Sequence, residues 1–328
     1  MADDFDFNKA VEEAQHDFPE QTKNVTFVDL DAPDADQKLR DWVDSLSEKT
    51  KNAMQRGGAL DTFTTTCSGF AFNAKTEGKQ ILAIHSHYCK DITLFQHAPE
   101  KQAAFVFDHE LGHIVVAEAD TATNKSENKA DGFAIMRGLK RGTMDKKDAQ
   151  LIADERAVDF FLEGDLVHLT TAGADNLIIN PKKVNFLELS PAQIAAIAHK
   201  HGETFASDKD SRAELTSAFI AKGVEDGAPG RDVCQKRLEQ LGQVCIHARK
   251  NSLEFYVAAR IVKTAMEHGG INDMPLCTTG PEWDKVAKAI EEKTKGKDLG
   301  AKIAVDQPLV ETAQESGFLQ RLRKTLSI

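Results

Sequence analysis

Residues 100–119 read EKQAAFVFDHELGHIVVAEA. Pro99 stands just ahead of this stretch, where its fixed φ suits a first helical turn, and apolar residues cover most of the circumference. Such a helix is expected to be buried. Inside it, His109, Glu110 and His113 form an HExxH pattern. Positions i and i+4 lie on one helical face a turn apart, so both imidazoles can meet one metal ion at about 2.0–2.1 Å. Glu110 stands beside that face, poorly placed as a ligand but well placed to take a proton from a water molecule on the ion. Burying three polar side chains in an apolar helix needs compensation, and a cation supplies it.

A zinc site needs a third protein ligand, and the chain offers candidates soon afterwards. Ser126 is a suitable cap for a second helix running through GFAIMRGL, whose first turns carry Glu127 and Asp131. Glu127 follows His113 by fourteen residues, enough for the second helix to fold back on the first. Glu127 and Asp131 are themselves i and i+4, so one carboxylate can bind the ion while the other holds a ligand histidine through its second ring nitrogen. Thr143 is the expected cap of a third helix, MDKKDAQLIADERAVDFFLE, stopped by Gly164.

With HELGH at 109–113 and ENKAD at 127–131, the chain resembles the gluzincin group of zinc metallopeptidases, the thermolysin-like arrangement of HExxH followed by an ExxxD helix. The resemblance implies that His109, His113 and Glu127 bind one Zn2+ per chain, that Glu110 activates water, and that Asp131 orients His109. It covers roughly residues 80–139. The segment is also similar to small bacterial metallopeptidase-like proteins in which ExxAxxFA follows HExxH, matched here by Glu127, Ala130, Phe133 and Ala134. No third histidine follows in HExxHxxGxxH spacing, so the metzincin pattern is absent. Imidazole and carboxylate also accept iron, cobalt or manganese, so zinc is the expectation from the ligand types rather than a necessity.

Upstream, residues 24–30 (NVTFVDL) favour a strand and 36–54 have helical spacing. Two apolar, β-branched runs, 62–72 and 80–89, flank a polar turn with Gly78 and read as an antiparallel hairpin. In ILAIHSHYC, residues 81–89, alternation puts Ala83, His85, His87 and Cys89 on one face. His85 to Cys89 spans about 13 Å, too far for one ion, so the surviving functional reading has His87 or Tyr88 helping to bind substrate or an oxyanion. His168, His199 and His201 are further candidates for a transition-state donor, His168 foremost because it follows the third helix into a loop. Beyond Pro181 the pattern is helical, with Ser190 and Pro191 opening one helix and Gly269 with Gly270 closing another. The expected fold is α+β and mostly helical, a small antiparallel sheet packed on the active-site helix. Its parts are an acidic lead-in or single marginal helix at 1–22, a metallopeptidase domain at 23–271, and a C-terminal appendage at 272–328.

The whole chain has 328 residues and 36.0 kDa, with 41% hydrophobic and 28% charged residues, the composition of a folded globular protein. Lys and Arg number 41 against 52 Asp and Glu, a net charge of −11 that argues against nucleic acid as a partner. No run approaches the roughly 18 apolar residues of a membrane span, and the acidic start lacks a signal-peptide core, so the cytoplasm is the expected address. Five scattered cysteines without a CxxC pair fit reduced thiols, with Cys234 and Cys245 expected in the core. The expected function is hydrolysis of a protein or peptide substrate by Glu110-assisted attack of a zinc-bound water. The alternative is a non-proteolytic or partner-restricted metal-binding regulatory protein on the same scaffold.

Overall fold

The structure, a computed structural model, describes residues 5–56, 69–87, 99–116, 123–179, 185–205, 230–250, 252–271 and 274–294. Most of them are helical, and the strands form one sheet of three and one of two. The three-stranded sheet is built from β1 (Val25–Asp29), β2 (Gly69–Ala74) and β3 (Lys79–Ile84), in the order β1-β3-β2. Ile81, Leu82, Ala83 and Ile84 are all fully buried, so both faces of β3 are covered. Period-two alternation divides them: Leu82 and Ile84 belong to the same core as Phe107 and Leu111, while Ile81 and Ala83 pack with Trp42, Leu46 and Met54.

The expected hairpin is realised in β2 and β3, which pair antiparallel around a 3₁₀ turn followed by Gly78, whose φ of 63° favours glycine; residues 62–68 and 88–89 of the expected strands lie outside the described residues. The sheet as a whole is mixed, because β1 runs parallel to β3 from Val25 opposite Gln80 to Asp29 opposite Ile84. Two helices, α3 (Ala35–Ser45) and α4 (Glu48–Arg56), lie between β1 and the hairpin, a connection long enough for parallel return. They replace the single helix expected over 36–54. Leu46 turns extended and buries its side chain, and Glu77 accepts the backbone N–H of Ser47 at 3.0 Å, ending one helix and capping the next.

The helix read from the opening motif is α5 (Pro99–Val115). It packs against α6 (Asn124–Arg141), followed by α7 (Lys146–Glu163), α8 (Thr171–Ile179) and α9 (Pro191–Phe205). The caps of α6 and α7 are Thr123 and Asp145 rather than Ser126 and Thr143; Ser126 and Asp148 instead complete capping boxes from the third helical position. Gly164 closes α7 in the left-handed region, as expected. The acidic opening, expected as a lead-in or one marginal helix, forms two helices, α1 (Phe7–Asp17) and α2 (Pro19–Thr22), that pack on the core. Ala10, Ala14 and Phe18 sit in the core with Phe107 and Phe133.

A second core gathers the C-terminal half of α7 with α10 (Arg231–His247), α11 (Leu253–His268) and α12 (Pro281–Thr294). Cys234 and Cys245 are buried in it. Trp283, Val286 and Ile290 of α12 are buried there too, so this part of the expected appendage is packed. Residues 295–328 lie outside the described residues. Among the described residues no helix is long and apolar enough to cross a membrane.

Candidate metal centre

The centre is made by α5 and α6 crossing closely. A Cβ on Gly112 would lie 2.9 Å from the Cα of Ala130 and 3.3 Å from the Cβ of Phe133. The glycine of HELGH and the alanine of ENKAD therefore let the two backbones meet, bringing Glu127 in the first turn of α6 over the histidines of α5. His109, Glu110 and Glu127 are buried, and His113 is partly so.

His109 Nε2 and His113 Nε2 are 3.1 Å apart and stand 3.2 and 3.3 Å from Glu127 Oε2. Donors sharing a tetrahedral ion at about 2.0–2.1 Å would stand about 3.3–3.4 Å apart. The triangle thus has the size an ion needs, and among the described residues this is the group whose ligand atoms all fall within 4.8 Å of one another. Glu127 Oε2 adds a second argument: it is buried, and among the described residues its neighbours are the ring nitrogens of His109, His113 and His168 at 3.2, 3.3 and 3.4 Å, none in good hydrogen-bond geometry. A buried carboxylate needs a positive charge facing it, which either a protonated imidazole or a cation shared by the three facing atoms would supply.

Charge balance follows from the same contacts. Burial disfavours a charged His109, but Asp131, hydrogen-bonded to its Nδ1 at 2.7 Å, outweighs this together with Glu127 and Glu110 and raises its pKa to about 10. Burial pushes Glu127 up, while His113 and His109 hold it well below the usual carboxylate range. A proton and a metal ion compete for the same imidazole lone pair, so a metal bound here would displace protons. Asp131 in turn accepts two hydrogen bonds from Arg156 and one from Thr170.

His168 is the third imidazole at the centre: its Nε2 lies 3.4 Å from Glu127 Oε2, and its Nδ1 pairs with Asp165 at 2.5 Å. Asp165 also accepts the backbone N–H groups of Val167 and His168, fixing the loop after α7. Other candidates sit elsewhere. His201 is buried between α9 and α6, and His199 lies beside Glu203 at 4.0 Å. The strand expected to reach Cys89 stops at Ile84, because Asp31 takes the His85 ring at 2.7 Å and the backbone N–H of His87 at 2.8 Å, turning the chain off the ladder. His87 is exposed, with its ring beside Ser86, and does not join the cluster of His109, His113 and Glu127. Tyr88 lies outside the described residues.

Sequence reasoning missed Arg156, Thr170 and Asp165. Asp165 had a local signal, standing three residues before His168, whereas Arg156 and Thr170 reach Asp131 from outside its helix. Comparison with protein-family models, with curated proteins and with solved structures finds no match to this chain.

Proposed function

We propose that this protein is a zinc-dependent metallopeptidase of gluzincin type. The observation that carries the reading is the triangle of His109, His113 and Glu127, the outer two buried and His113 partly so, with ligand atoms within 4.8 Å of one another and with Glu110 directly after His109 on α5. His109, His113 and Glu127 would hold the ion through two neutral imidazoles and one carboxylate. When bound, the ion supplies a Lewis acid that polarises a carbonyl and acidifies water. Glu110, about 100° round the helix from His109, removes the proton from the attacking water and returns it to the leaving amine. Asp131 holds the His109 ring by Nδ1. His168, held by Asp165 and partly exposed, is the candidate donor to the developing oxyanion.

The test is metal content by elemental mass spectrometry on protein purified without added metal, with His109→Ala, Glu127→Ala and Glu110→Gln alongside. The expected result is near one zinc per chain in the wild type and in Glu110→Gln, and loss in the two ligand variants. Peptide hydrolysis by the wild type should fall by orders of magnitude in Glu110→Gln. No metal in the wild type after zinc is offered overturns the reading. One zinc with no turnover on any peptide moves the conclusion to a non-proteolytic metal protein.

A further inference from the structure

We propose that Arg156 is a positioning residue of the metal centre, setting the orientation of His109 through Asp131; this deepens the metallopeptidase reading and rests on its metal site. Asp131 is 1% exposed and is held from three directions. Its Oδ1 faces His109 Nδ1 at 2.7 Å. Arg156 donates from Nε to Oδ2 at 3.0 Å and from Nη2 to Oδ1 at 2.9 Å, and the Thr170 hydroxyl donates to Oδ2.

A two-pronged guanidinium contact fixes the plane of a carboxylate as well as its position, which a single donor does not. The direction in which Oδ1 meets His109 is therefore set from α7, an element that carries none of the proposed ligands. His109 is on α5 and Asp131 on α6, so the contact ties three helices at one carboxylate. The ring held in this way presents Nε2 to Glu127 Oε2 and His113 Nε2. Arg156 also supplies the positive charge that compensates the buried Asp131 carboxylate, which would otherwise be left to the His109 ring and the neutral Thr170 hydroxyl. Lysine in its place keeps the charge but loses the fork, so it should restore the function only in part.

Zn2+ affinity is measured by competition with a chromogenic chelator, and the absorption spectrum is recorded for Co2+-loaded protein, in wild type, Arg156→Lys, Arg156→Gln, Asp131→Asn and the double variant. Partners of a ligand histidine typically change metal affinity by about 10–100-fold. That loss is expected for Arg156→Gln with the metal-free fold intact by circular dichroism, with an altered Co2+ spectrum and Arg156→Lys intermediate. Because Arg156 acts through Asp131, adding Arg156→Gln to Asp131→Asn should move the affinity by less than about threefold. A folded Arg156→Gln with wild-type affinity, or an equal loss in both backgrounds, overturns the proposal while leaving the metal site standing. If Arg156→Gln does not fold, Arg156→Lys decides: roughly three- to tenfold weaker binding supports the proposal, and unchanged binding overturns it. A wild-type chain that binds neither ion removes the metal centre and the proposal with it.

Discussion

His201 lies beneath α6, so close that a Cβ on Gly132 would stand 2.7 Å from its ring, and burial lowers its pKa to about 4. The unfolded chain takes up that proton near pH 6.5. Between these values the unfolded state binds more protons than the folded one, so the stability His201 contributes is present above pH 6.5 and is lost as the pH falls toward 4. The difference is roughly 3 kcal/mol across the window. Asp159 works in the opposite sense: burial, with Glu163 and Asp165, pushes it up to about 6, so its ionisation weakens the fold as pH rises. Urea unfolding at pH 7 and pH 4.5 should therefore show His201→Gln losing less stability on acidification than the wild type. Equal losses would mean the ring is not held neutral. At this scale HELGH and ENKAD were legible because each spacing is internal to one helix. Arg156 was not, because it meets Asp131 across two helices, and His87 was misplaced because Asp31 ends the strand before it.

The crossing of α5 and α6 depends on Gly112. Alanine there would gain up to about 1 kcal/mol of helix propensity, but its Cβ would press on the Ala130 backbone at 2.9 and 3.2 Å, and overpacking of this kind costs about 1–3 kcal/mol. The crowding should win, and the ligand triangle, whose atoms are spread over both helices, should suffer more than the fold. We expect Gly112→Ala to lower the melting temperature by a few degrees and to weaken Zn2+ binding about tenfold or more, read by thermal melts and chelator competition. Unchanged affinity would mean that α6 can slide without disturbing Glu127. Helix existence was readable where periodicity was strong, as in α5, α6, α7, α9 and α11, whereas the short α8 and the helix ends were not: the caps at Thr123 and Asp145 and the break at Leu46 depend on which polar groups meet in three dimensions. The parallel pairing of β1 escaped for the same reason, since alternation within a strand carries no information about its neighbour's direction.

Among the described residues three hydrophobic cores hold the molecule: one lies between the sheet and α3 and α4, and the two larger ones share α7, with Ile152 and Ala153 in one and Phe160 and Phe161 in the other. The acidic N-terminal helices close the core that holds Ile152 and Ala153. Arg137, 2% exposed, pairs with Asp108 and, at 3.1 Å, with Asp17; Arg141 reaches Asp108 at 3.2 Å and Glu13 at 2.6 Å. Asp108 directly precedes His109, so the opening segment braces the back of α5. Removing residues 1–22 should lower unfolding stability by more than about 3 kcal/mol, because truncating one buried phenylalanine such as Phe18 already costs about that much. Urea denaturation showing wild-type stability would mark the segment as an attachment. What the amino-acid order determined alone was everything carried by short-range period: the helical stretches, the β2–β3 hairpin, two histidines on one face and two carboxylates on another. Only the tertiary structure decided that those faces meet, that β1 lies parallel, that His168 joins Glu127 and that Arg156 grips Asp131. Each of these joins residues on separate elements, and which elements pack together is set by the fit of whole apolar surfaces, not by any local spacing.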